Sequence, residues 1–253
     1  MRLATTVAIA IVAYTMSSIL HEFVGHSLVA RILGAHVTSI SSVNMNYDVA
    51  VVHAGLRKVI SACGALANIL TALVALAILR KRPTSANVRY FLWLFMTVSL
   101  LLATGYPGFS AVMGSGDWAN VIYGLPHLIM WRALLLVISA VLYWISLRIS
   151  AQELVLLIGS RSREVSRRLV LPAYFAGGLL FSIAAAFNPS GPRMLIWAAA
   201  ASFGSMSGIV FSLSRFDSNE KPALPINGSI PWVLLAVVIT GLFVSILGPG
   251  TNL

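Results

Sequence analysis

Two histidines and a glutamate stand together in this chain, as His21-Glu22-Phe23-Val24-Gly25-His26, inside an apolar run that reaches from Leu3 to Leu33. Ionisable groups at membrane depth are costly, so they mark function more often than decoration. The nearest chemistry is that of H-E-x-x-H on a helix, where two histidines one turn apart hold zinc and the glutamate is the general base for a water. Here the second histidine comes one residue late. In a regular α-helix, positions i and i+5 point about 140° apart and cannot both reach one ion at roughly 2.0–2.1 Å. A one-residue π-bulge would bring them back together, and Gly25 is the residue type that best tolerates unusual backbone there. The expected roles are therefore metal ligation by His21 and His26 and proton transfer by Glu22.

The elements that must position these groups are membrane spans. Of the 253 residues, 58% are hydrophobic and 9% charged, against about 25% charged in a soluble domain, and the mean hydropathy is +0.91. This composition predicts an all-α polytopic membrane protein of about six or seven transmembrane helices. The net charge of +10 comes from 17 Lys and Arg set in short clusters between apolar runs. That is the topogenic pattern of a multi-pass protein in a lipid bilayer, not a nucleic-acid surface. Cys63 is the single cysteine and lies in an apolar segment, so no intramolecular disulfide framework exists. The N-terminal run is too long for a signal peptide and reads as a retained first helix.

Between the first two spans, residues 34–58 change character. Val37 to Val43 and Val49 to His53 flank an Asn44–Asp48 turn, which predicts a small β-hairpin. His36 and His53 beside it read as interfacial polar residues. The second span, Val59 to Leu79, places Gly64 and Asn68 four apart on one face, a gap for close backbone approach next to a side-chain amide. The third span runs from Tyr90 to about Thr104 and is expected to break at Gly105-Tyr106-Pro107-Gly108, leaving irregular backbone up to Asp117-Trp118. Asp117 is the expected third metal ligand, with an N-cap as the alternative.

The spelling H-E-x-x-G-H is that of dipeptidyl-peptidase III, a soluble zinc peptidase whose paired-glutamate partner motif is absent here. A wider resemblance covers about residues 15–120. The string Ser61-Ala62-Cys63-Gly64-Ala65-Leu66-Ala67-Asn68 resembles the G-P-x-x-N segment of site-2 proteases, intramembrane zinc metalloproteases, with Ala65 at the usual proline. In that family an aspartate from a broken later helix completes the zinc site. Asp117 takes that place here, although Trp118 follows it and no Asn-Pro precedes it. The resemblance implies Zn²⁺ as cofactor, a membrane-protein or peptide substrate, and a role for Asn68 at the oxyanion or the unwound substrate backbone. The hairpin would offer that substrate a strand edge.

Beyond residue 125 the chain carries apolar runs at about 128–147, 170–187, 195–213 and 230–248, expected as further spans of a single membrane domain whose catalytic core is about 1–125. Arg148 to Gly159 reads as an interfacial piece, with Glu153 and His127 solvated, and Asn188-Pro189 as a helix stop. The basic clusters at Arg80–Arg89, Arg161–Arg168 and Arg215/Lys221 put Met1 in the cytoplasm and Leu253 outside, in the plasma membrane if the chain is bacterial. The alternatives to a protease are a membrane carrier or metal-permeation protein, which would also place His, Glu and Asp among broken helices, and a non-proteolytic relative of the same fold.

Overall fold

The computed structural model describes residues 1–50, 52–216, 220, 222 and 224–252; Val51, Lys221, Leu253 and the side chain of Arg215 lie outside it. Among the described residues, seven helices are long and apolar enough to cross a membrane: α1 (Arg2–Ile32), α2 (Ala54–Arg80), α3 (Ala86–Met113), α5 (Leu128–Ile158), α6 (Arg163–Ala186), α7 (Pro192–Ser212) and α8 (Ile230–Leu247). A short helix, α4 (Asp117–Ile122), stands between α3 and α5. The fold is the expected all-α polytopic one. Its caps are ordinary: Ser85 and Ser162 accept from the N–H groups of Val88 and Val165, and left-handed Gly114 and Gly159 close α3 and α5.

Helix α3 is the hub. It is the most enclosed of the spans, and its Trp93, Leu94, Met96 and Leu101 belong to a hydrophobic cluster that draws on every long helix. Two polar tips pin it in place, Tyr90 Oη donating to Leu169 O at 2.9 Å and Trp93 Nε1 to Ser150 O at 2.9 Å. Burying such rings with their donors satisfied gives apolar area without an orphaned polar group.

Side-chain bonds define two ends of the bundle. At one end Arg80 Nε meets Glu153 Oε1 at 3.0 Å, Asn87 Nδ2 donates to Asn227 O, the Arg163 guanidinium to Phe216 O, and Ser229 N–H to Thr5 Oγ1. The 80–89 basic cluster and Arg161–Arg168 belong to this end. At the other, β1 (Val37–Ile40) and β2 (Met45–Tyr47) form an antiparallel hairpin, and β3 (Thr251–Asn252) pairs antiparallel with the free side of β1, giving the order β2-β1-β3.

Three details depart from the sequence reading. The second hairpin strand is Met45–Tyr47, the stretch expected as the turn. Ser41 sets the turn earlier: its hydroxyl accepts from the N–H groups of Val43 and Asn44 and from Asn188 Nδ2, past the end of α6. Helix α3 does not break at Pro107 but continues to Met113. Pro107 removes the N–H that would bond Ala103 O, and one residue on Ser139 of α5 donates to Thr104 O at 2.7 Å, with Gly108 leaving room for it, so that α5 braces the helix beside the gap. Finally, Arg148–Gly159 is not a separate piece. It continues α5 through Ile158, and Glu153 is buried against Arg80 rather than solvated. His127, His36 and His53 are exposed, as expected.

Candidate metal centre

Residues Leu20–Leu28 form a π-helical segment inside α1. A π-helix has about 4.4 residues per turn, so positions i and i+5 fall roughly 50° apart rather than 140°. The two imidazoles accordingly converge, His21 Nε2 lying 3.1 Å from His26 Nε2. Gly25 has a second task that its spelling did not reveal. A Cβ there would lie 2.5 Å from Gly64 Cα, and one on Gly64 would lie 2.4 Å from His26 Nε2. The two glycines thus let α2 cross directly over the histidines.

Asp117, the first residue of α4, reaches into the same point. Its Oδ2 is 3.2 Å from both His21 Nε2 and His26 Nε2. Ligands at roughly 2.0–2.1 Å from a tetrahedral ion stand about 3.3–3.4 Å apart, so the three atoms have close to the spacing such an ion would impose. A Glu22 carboxylate oxygen and the two ring nitrogens also lie within 4.8 Å of one another, a looser grouping, so the carboxylate that closes the triangle is that of Asp117.

Proton placement supports the same fit. His26 Nδ1 lies 2.8 Å from Ile60 O, and a carbonyl only accepts, so the proton sits on Nδ1 and Nε2 presents a lone pair. At His21 the Asn68 amide nitrogen is 3.4 Å from Nδ1, while Asn68 Oδ1 is buried without a partner among the described residues. A half-turn of that amide lets Oδ1 accept the His21 Nδ1 proton and frees Nε2 in the same way. Two lone pairs and a carboxylate in mutual contact call for a shared cation, a proton or a metal ion, and the donor set of two imidazoles and one carboxylate suits zinc with an open position.

Glu22 is 7% exposed, and its Oε2 has no hydrogen-bond partner among the described residues. With His21 and Asn68 it lines a chamber of about 810 Å³ running between α3, α5 and α7, whose walls are otherwise mainly apolar. Tyr106 is a neighbour that the sequence did not single out. Its ring meets His21 edge-on at 6.1 Å, and its hydroxyl packs against Gly116, next to Asp117. The only signal for it was its place in Gly-Tyr-Pro-Gly, read there as a break.

The structure therefore brings His21, Glu22, His26, Asn68 and Asp117 together. No family model matches the chain, and neither the curated proteins nor the solved structures yield a match.

Proposed function

We propose that this chain is an intramembrane zinc metalloprotease that hydrolyses peptide bonds of membrane-protein substrates. The observation that carries the proposal is the convergence of His21 Nε2, His26 Nε2 and Asp117 Oδ2 within 3.2 Å of one another, next to a buried carboxylate with a free oxygen. The resemblance of residues 15–120 to site-2 proteases points the same way.

His21, His26 and Asp117 would hold the ion. Zinc in such a site supplies Lewis-acid polarisation and lowers the pKa of a water toward ~7. Glu22 takes a proton from the water that adds to the peptide carbonyl and returns it to the leaving nitrogen. Asn68, anchored through Oδ1 on His21, keeps its amide nitrogen beside the site as the donor that a carbonyl oxygen gaining charge would need. The mostly apolar chamber keeps competing water low and admits an apolar segment. Because β3 covers the outer side of β1, a substrate strand adds to the outer edge of β2 or displaces Thr251–Asn252. The basic end faces the cytoplasm and the site lies toward the opposite leaflet.

The test is reconstitution with single-pass membrane substrates, comparing wild type, Glu22→Gln and His26→Ala for cleavage and bound zinc. Wild type should hold about one zinc per chain and cut. Glu22→Gln should keep the metal and lose the rate, and His26→Ala should lose both. Cleavage by Glu22→Gln at the wild-type rate would refute the mechanism. Zinc flux without cleavage would instead make the chain a carrier.

A further inference from the structure

A second cavity, of about 500 Å³, opens between α5 and α7 at the basic end, away from the metal centre. Arg148 and Arg161 line it together with Trp144, Gln152, Phe211 and Phe216. Both arginines are exposed, and among the described residues neither takes part in an ion pair. Arg148 lies over the Trp144 ring, 4.8 Å from its centroid, a contact that steers a guanidinium without using its forked donors. Arg163 differs: its guanidinium is committed to the carbonyls of Ser214 and Phe216. The groove thus pairs two available guanidinium groups with apolar walls.

The helices that form the groove are the membrane-facing ones. Only 11% of the most apolar window of α5 and 22% of that of α7 are buried within the protein, and Phe211 is 75% exposed. Hydrocarbon is therefore what meets Phe211, while the arginines sit where headgroups lie. Basic pockets between transmembrane helices at the cytoplasmic side suit anionic lipid headgroups, and arginine matches a phosphodiester with two parallel bonds.

We propose that this groove binds an anionic glycerophospholipid, its phosphate between Arg148 and Arg161 and an acyl chain along Phe211. Gly208 and Phe211 line both this groove and the site chamber. The Tyr143 hydroxyl, accepting from Gly208 N–H at 3.1 Å and bonded to Ser205 O, ties α5 to α7 between the two spaces. A chain lodged on Phe211 braces that partition from the lipid side.

Full-length protein in neutral detergent, titrated with dioleoyl-phosphatidylglycerol or dioleoyl-phosphatidylcholine and read by native mass spectrometry, tests this. Wild type should retain one phosphatidylglycerol per chain in preference to phosphatidylcholine. Arg148→Gln/Arg161→Gln should weaken retention about ten-fold or more. Lys81→Gln/Arg167→Gln removes two exposed charges from the same end and should leave retention unchanged. Equal retention of the neutral lipid, equal loss in both double variants, or full displacement by millimolar inorganic phosphate would overturn the proposal. Should the first double variant not fold, doxyl-labelled phosphatidylglycerol replaces it as the probe. It must quench tryptophan fluorescence in wild type and much less in Trp144→Phe, and equal quenching in both also overturns the proposal.

Discussion

Gly64→Ala is the smallest change that should empty the metal centre. The added Cβ would lie 2.4 Å from His26 Nε2, 2.6 Å from His26 Cε1 and 2.7 Å from His21 Cε1, about 1 Å inside ordinary contact. Metal ligands hold their distances to within about 0.2 Å, so turning either ring away by that amount removes it from the set. The alternative is for α2 to retreat. That lengthens the 2.8 Å bond from His26 Nδ1 to Ile60 O and opens the Gly25–Gly64 crossing. Both routes disturb His26. The expected cost to folding is about 1–3 kcal/mol, and zinc affinity should fall about 100-fold or more. Chelator competition on purified protein measures this, with Cys63→Ala as the neighbouring control that should bind as wild type does. If folded Gly64→Ala binds zinc with wild-type affinity, the crossing of α2 over the histidines is not what shapes the site.

Asn68→Leu removes the partner of His21 Nδ1 and should lower zinc affinity about 10–100-fold by chelator competition, with the helical circular-dichroism signal unchanged. Tyr106→Phe keeps the ring against His21 but removes the hydroxyl packed beside Gly116 and Asp117, so zinc should dissociate faster in stopped-flow chelation while stability shifts by about 1 kcal/mol. Arg80→Ala leaves Glu153, whose side chain is 6% exposed, without its ion-pair partner. It should destabilise by about 1–3 kcal/mol in thermal unfolding, moderated because the arginine itself is largely exposed, and Arg80→Ala/Glu153→Gln should recover part of the loss.

The residues that converge at the candidate metal centre stood out where they broke a local rule. His21, Glu22 and His26 are polar where the surroundings are apolar, and their spacing demanded a wider turn, which the π segment provides. Gly64 and Asn68 showed their shared face through simple helical periodicity. What stayed hidden depends on partners far along the chain. Pro107 reads as a break unless Ser139, 35 residues after Thr104, is known to brace the helix there by bonding Thr104 O. Glu153 reads as solvated unless Arg80, 73 residues earlier, is known to meet it. The hairpin register follows from Ser41 and from Asn188, 147 residues away, which outweigh the β-branched run after Asp48. Strand β3 is two residues long and carries no pattern of its own.

The π segment also resets the phase of everything after it. One extra residue in the turn rotates the rest of α1 by roughly 100° relative to an uninterrupted α-helix. That rotation carries Ala30, fully enclosed with Val37, Ile40 and Ile60, onto the hairpin side. Deleting Phe23 or Val24 would restore the commoner four-residue histidine spacing and, in a regular α-helix, would leave Ala30 on the same side, because the wide turn already absorbs that one residue. The wide turn thus has the form of a one-residue insertion, holding both the second histidine and the seat of the hairpin where a helix one residue shorter would put them.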